Sequence, residues 1–442
     1  MLSDLGASFT DMTNDTQDPP LGMHPDQHAL VLNPSAHGQA FVGSDGGLVR
    51  TNGTFVDNSA QCADRSLSGS GLALCQSMLR SVPERLDSLN AGLNTLQFQS
   101  VSVNPQSPLT DVMGGTQDNG TWMTDDTSWL STIGGDGGQS GFNVAGNVRM
   151  HTFYFASGDV NFANGDSEQW LYVTGPQDSS GESFSFYVPF IADPVVDGTW
   201  FMGGQSVWRT KDNGGTPEQL APCNEVSGTV EDSSTCGDFV RVGTALSDDP
   251  SNYIAALARS ASDSETLWIG MRQGQLYLSR NAAADDSDVA YASLTNSALP
   301  GRFISGIAVD PADANHAYVS FSGYSAYTPD TPGHVFDARV NAATGALSLT
   351  DISANIGDQP VTGIAFDSAT GDLFAATDFG VLRLPSGTSS WVDAGSGLPR
   401  TSTFALTLDV QHRVLYAATH GRGAYRLPLA PVARISGSKQ VT

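Results

Sequence analysis

Three carboxylates stand in glycine-containing turns: Asp45 in FVGSDGG, Asp118 in MGGTQDNG and Asp378 in ATDFG. Two such groups at suitable separation can act as acid and base, or acid and nucleophile, on a glycosidic bond. The plainer reading of each is a turn former, because Asp and Gly favour these backbone conformations. In MHPDQHAL, His24, Asp26 and His28 have strand spacing and would point to one side of an extended segment. Two imidazoles and a carboxylate suit a divalent metal, calcium or a transition ion. The plainer reading is hydrogen bonding to loops. No motif requires a cofactor. GGTQDNG and GGDGG lack the Lys-Ser/Thr of a phosphate loop, and SGSGL is not a nucleophile elbow.

These residues need elements to hold them, and the chain repeats one device. An apolar strand often ends near Asp-Pro or Asn-Pro, a second runs into a glycine turn, and a third leaves it. Seven such sets occur, over 29–51, 98–124, 186–215, 253–281, 304–340, 361–387 and 404–429. Near-continuous apolar runs read as sheets buried on both faces. A four-stranded unit of about 40–50 residues that stacks on its neighbours is a propeller blade. The expected fold is all-β: a single seven-bladed β-propeller of four-stranded antiparallel blades over 8–429, with a C-terminal tail over 430–442.

The seventh set lacks an outer strand. SFTDMTND, residues 8–15, is expected to supply it beside RGAYRLPL and so close the ring. Two stretches are read as insertions, about 62–92 and 134–183. The first carries a short surface helix by the spacing of Leu79, Leu86 and Leu89.

In a blade, the turn between second and third strands opens on the same face as the approach to the next inner strand. Those turns place Asp45, Asp118, Gln205, Arg272, Tyr324, Asp378 and His420 with Arg422 around one channel mouth. The approaches add His24, Asp26, His28, Asp136, Arg149 and His151. The expectation is a polar mouth of mixed charge. Trp122, Trp170 and Trp208 are either core or sugar platforms, and core packing is the plainer reading.

VWRTKDNGG, residues 207–215, resembles a degenerate Asp-box, the Ser/Thr-x-Asp-x-Gly turn of bacterial neuraminidase repeats. With FVGSDGG, MGGTQDNGTW, GGDGGQSGF, ATDFGVLR and YAATHGRGAYRL, the chain from about 26 to 427 resembles the bacterial sialidase-like and sortilin-like propeller family, called glycosyl hydrolases by similarity. The resemblance implies the fold far better than an activity. The early Arg-Ile-Pro motif of sialidases is absent from the sequence. Their arginine triad and Tyr/Glu pair cannot be assigned.

The formal charge of −26, from 46 acids and 20 bases, argues against nucleic acid, which needs a basic footprint. Only Lys211 and Lys439 are lysines; the other bases are arginine. Cys62 with Cys75, and Cys223 with Cys236, lie in polar Gly/Ser-rich stretches and are expected to form two local disulfides. They point to a secreted or cell-surface protein, although the chain starts without a signal peptide. No apolar run is long enough to span a membrane. The expected function is binding of a glycan or an extracellular protein at the mouth; the alternative is a glycoside hydrolase using paired carboxylates there. Whether the protein is catalytic stays open at this stage.

Overall fold

The computed structural model describes residues 10–13, 19–124, 128–226, 230 and 232–431. Its contacts divide the chain into two compact units, Met1–Thr95 and Leu96–Thr442, where the sequence reading had one domain over 8–429.

The first unit holds a four-stranded antiparallel sheet of Gln27–Leu32, Ala40–Ser44, Gly47–Thr51 and Leu86–Ser88. Its core is small: Met23, Val42, Val49 and Leu86. The Cys62–Cys75 disulfide ties a 3-10 turn, Ser59–Arg65, to a helix, Gly69–Met78. That helix stops short of the expected one. Pro83 cannot continue a helix, and Val82–Pro83 instead pairs with Phe55–Val56 as a short ladder.

The expected closing strand is not formed by residues 10–13; residues 8, 9, 14 and 15 lie outside the described residues. The Asp11 carboxylate accepts hydrogen bonds from Thr13 N at 2.8 Å and Thr13 Oγ1 at 2.7 Å. This local turn competes with an extended ladder. Asp11 N donates to Met78 O at 3.0 Å, within the first unit.

In the second unit the strands form successive antiparallel sheets over 102–133, 140–172, 190–242, 254–294, 304–351, 361–393 and 403–428. All have four strands except the last, which has three among the described residues. Each is a meander in which every strand pairs with the next. The sheet over 140–172 lies inside the stretch read from sequence as an insertion. The expected blade over 29–51 lies in the other unit.

A repeated turn explains the Asp-Pro rhythm. Five of the seven inner strands end in an Asn or Asp side chain that accepts from backbone N–H groups two or three residues on. Asn104, Asp193, Asp310, Asp367 and Asp409 all do this. Such an Asx turn folds the strand back at once. Glycines then let sheets approach closely. A Cβ at Gly203 would lie 2.6 Å from the Ile254 side chain of the next sheet. Large aromatics fill the space between sheets, with Trp170, Trp200 and Trp268 fully buried.

Arginines cross from sheet to sheet. Arg259 Nε meets Asp193 Oδ2 at 2.7 Å, with both side chains buried, and its guanidinium lies over the Phe201 ring. Arg413 meets Asp367 at 2.7 Å. Buried Arg209 donates to Ala282 O, Ala284 O and Asp286. Arg149 pairs with Asp111. A planar five-donor fork suits such buried ties better than an ammonium, which accounts for the preference for arginine over lysine.

The first and last sheets of the unit are also joined. Phe98 N donates to Thr419 O and Gly423 N to Leu96 O, each at 3.1 Å. Tyr416 Oη donates to Pro108 O at 2.7 Å, and Thr407 Oγ1 donates to Val101 O.

Two outcomes are expected in urea unfolding. Arg259→Met leaves Asp193 buried without its partner and costs about 3–5 kcal/mol. Replacing Cys223 and Cys236 by Ser releases a 13-residue closure and costs about 3 kcal/mol.

Candidate functional site

The inner strands of the second unit converge on one cavity of about 350 Å³. Gln99, Gln139, Tyr187, Ala255, Ser305, Thr362 and Phe404 line it, one from each sheet or the approach to it. The same residues line the channel that follows between the inner strands. Gln117, Ser322 and His420, from turns between second and third strands, complete the wall with Ser185, Phe186 and Phe303. Turns and approaches therefore do open on one mouth, as the topology of a blade requires.

Its chemistry is unlike the charged ring expected from sequence. Amides, hydroxyls and aromatic rings line the cavity, and none of its lining residues is Asp, Glu, Lys or Arg. Among the described residues, Gln99 Nε2, Tyr187 Oη and His420 Nδ1 are buried without a hydrogen-bond partner. The His420 ring stands edge-on to Phe404 at 4.6 Å. Burial pulls its pKa below the usual histidine value. Burial also pushes the Tyr187 phenol up, and the nearby Asp136 and Asp118 carboxylates add to that shift.

The carboxylates sit around this wall. Asp136 Oδ1 accepts from Asp118 N at 3.0 Å, which joins two of the expected residues. Asp378 accepts from Tyr324 Oη at 3.5 Å and from Ser402 Oγ at 3.4 Å. Ser402 O in turn accepts from His420 N at 2.9 Å. Tyr324, Asp378 and His420 are thus linked across neighbouring turns.

Other expected residues do structural work. Arg149 and His151 are buried, not at the mouth. Arg149 pairs with Asp111, while His151 bridges Thr121 and Asp159. They belong to the second strand of the unrecognised sheet, so their side chains enter the core. Gln205 ties Ser183 N to Ser247 O. Arg272 donates to Ser251 O and stands over Tyr253. Arg422 is exposed.

Asp45, His24, Asp26 and His28 lie in the first unit and are not among the residues lining this cavity. His28 Nε2 meets Asp45 Oδ1 at 2.6 Å, while His24 Nδ1 accepts from Asp26 N at 3.2 Å. His24 also lies 3.8 Å from the Asp26 carboxylate, while His28 turns to Asp45 instead. Among the described residues no three His, Cys, Asp or Glu gather in a metal-holding group.

Apart from Tyr324, the aromatic residues around the mouth were not singled out in the sequence. Six aromatic side chains are exposed among the described residues: Tyr154, Phe155, Phe186, Tyr324, Tyr327 and Phe379. All six lie in turns between second and third strands or in the approach to the third sheet. Tyr154 and Phe155 pack on Phe186, with ring centroids 6.0 and 5.5 Å apart. Phe186 borders the cavity. Trp170 and Trp208 are core and Trp122 is half-buried. Trp122 Nε1 donates to Asn119 O at 2.7 Å.

The turn in VWRTKDNGG is held by its own side chains. Thr210 Oγ1 accepts from Gly214 N at 2.9 Å, and Asn213 takes a left-handed φ of 64°. Asn213 Oδ1 accepts from the Trp200 indole at 3.0 Å. This places a structural role on the turn.

No protein-family model matches the chain, and no curated protein matches it. Among solved structures it is similar to the β-propeller domain of Myceliophteria thermophila Cps50 (Swd1), with a TM-score of 0.52 and 11% identity, over 76% of this chain and 97% of that one. At that identity the likeness establishes a β-propeller fold and nothing finer. Among the described residues no helix is long and apolar enough to cross a membrane. Both disulfides are formed, as suits an oxidising compartment.

A histidine with a lowered folded pKa stabilises above its unfolded value, about 6.5, and that contribution is lost as pH falls through the folded value. Thermal melts from pH 7.5 to 5 should therefore show a larger loss for the wild type than for His420→Asn.

Proposed function

We propose that the second unit is a seven-bladed propeller, closed by the hydrogen bonds between its first and last sheets, and that the protein is an exported glycan-binding protein. The single observation that carries this reading is the collar: the six exposed aromatics of the described residues lie at one end of the sheets. Exposed rings clustered in this way mark an interaction surface. The wall inside the collar offers amides and hydroxyls. A glycan presents both complements, apolar C–H faces for the rings and hydroxyls for the polar wall. A protein partner is the second occupant of such a face, but it does not need a channel of hydrogen-bonding groups behind the rings.

The hydrolase alternative has one observation in its favour, the hydrogen bond from the Asp118 backbone N–H to the Asp136 carboxylate, which brings two acidic residues to neighbouring positions. A general acid at neutral pH needs a carboxyl pushed upward. Among the described residues the carboxyls so shifted are Asp178, Glu225 and Asp238, and none lines the mouth cavity. Burial brings Glu225 and Asp238 to about 7, the latter helped by its hydrogen bond with Asp212. The Asp-box resemblance supports the fold of this reading, not a reaction.

Binding to an array of plant, algal and bacterial glycans is expected for the wild type. Phe155→Ala, Phe186→Ala and Phe379→Ala should each weaken it about tenfold, or about 1.4 kcal/mol, with unchanged melting curves. The same glycans should yield no new reducing ends. Release abolished by Asp118→Asn or Asp136→Asn would establish the hydrolase instead.

A further inference from the structure

The cavity inside the collar has a property that the collar does not require. In a chain of formal charge −26, none of the residues lining it is acidic or basic. His420 is its one lining residue able to take a positive charge near neutral pH, and burial opposes that charge. An anionic group entering here would lose water without gaining a cation. A cationic group would find no carboxylate on the wall. Charges are not buried in such places without partners. The Asp118 and Asp136 carboxylates are felt by Tyr187 and add a further barrier to anions.

Three residues of this wall each hold a buried polar atom that is unpartnered among the described residues: Gln99 Nε2, Tyr187 Oη and His420 Nδ1. Gln99 is 6% exposed. Buried polar groups are nearly always hydrogen-bonded, so three exceptions in one cavity call for a reason. The amide nitrogen donates only. The phenol both donates and accepts, and a neutral imidazole nitrogen does either according to tautomer. Hydroxyl groups, which also donate and accept, can meet all three.

The placement adds a constraint on shape. The wall draws one residue from each sheet or its approach, from Gln99 to Phe404, so the cavity lies where all the inner strands converge. A polymer can enter along that line only by an end.

We infer that this throat is a subsite for an uncharged, hydroxyl-bearing chain end of the glycan held by the collar. The inference rests on the glycan reading and narrows it. Neutral sugar termini enter; uronic or sialic acid termini, which would need an arginine on the wall, do not.

The test is titration calorimetry of the full chain with linear neutral hexasaccharides of glucose, mannose, galactose and xylose, their size-matched uronic and sialylated counterparts, and a cyclic neutral oligosaccharide. Gln99→Leu and Tyr187→Phe are titrated beside the wild type, with melting curves to confirm the fold. At least one linear neutral ligand should bind, and each variant should weaken it tenfold or more. The anionic counterparts and the cyclic ligand, which has no end, should bind at least tenfold more weakly than it. Equal binding of anionic or cyclic ligands would overturn the throat assignment. So would neutral binding that both variants leave intact while Phe186→Ala abolishes it; the glycan reading would then stand without the throat. Failure of every oligosaccharide to bind would remove the glycan reading itself.

Discussion

The second unit depends on buried and half-buried arginines that reach from one sheet to the carboxylates and carbonyls of the next. Arg259 with Asp193 and Arg413 with Asp367 are the plainest cases. In each, the carboxylate also caps the turn that ends an inner strand. One side chain therefore fixes two things, the reversal of its own strand and the seating of its neighbour. Hydrophobic packing alone would let neighbouring sheets slide, because dispersion is not directional. A charge pair with both partners buried tolerates little displacement before one charge is stranded. The ties cost desolvation, and what they provide is a defined register between sheets.

That register is what makes a mouth. Each wall residue comes from a different sheet, so the cavity exists only if all the sheets hold their angular positions. Gln99 and Phe404 sit on the first and last sheets, and the bonds Phe98–Thr419 and Gly423–Leu96 bring those sheets together. The turns at the mouth are then free to vary in chemistry because the scaffold beneath them is fixed. The chain uses that freedom for aromatic rings at the rim, amides and hydroxyls within, and acids just outside the wall.

The apolar strand sets over 98–124, 186–215 and 253–429 were readable because their second strands are continuous apolar runs such as LWIGM and LFAAT, buried at every position. The sheet over 140–172 was not. Its strands are two to four residues long, and buried polar residues, Arg149, His151, Asp159 and Asn161, alternate with buried apolar ones, Met150 and Val160. Such short strands with polar side chains buried on one face give no continuous apolar run for periodicity to reveal. That omission hid Tyr154 and Phe155, and it moved Arg149 and His151 to the mouth by mistake. The hairpin over 29–51 has the same local pattern as a blade, and only long-range contacts separate it into the other unit. Both disulfides were legible because each closes a short polar loop. Of the turn residues expected at the mouth, His420 lines the cavity, whereas Asp118 and Asp378 are not among its lining residues. The wall residues Gln99, Gln139, Ser305 and Thr362 were not found, since a single polar residue in an inner strand carries no signal until the strands are brought together.

The account's central claim is that ligand enters at the aromatic end of the second unit. Hydrogen–deuterium exchange with and without a bound neutral oligosaccharide tests it most directly. Protection is predicted in the turns around Gln117, Phe155, Ser322, Phe379 and His420. Protection confined to the opposite turns, around Lys211–Gly214 and Ala283–Asp286, would contradict the account and place the binding face at the other end of the sheets.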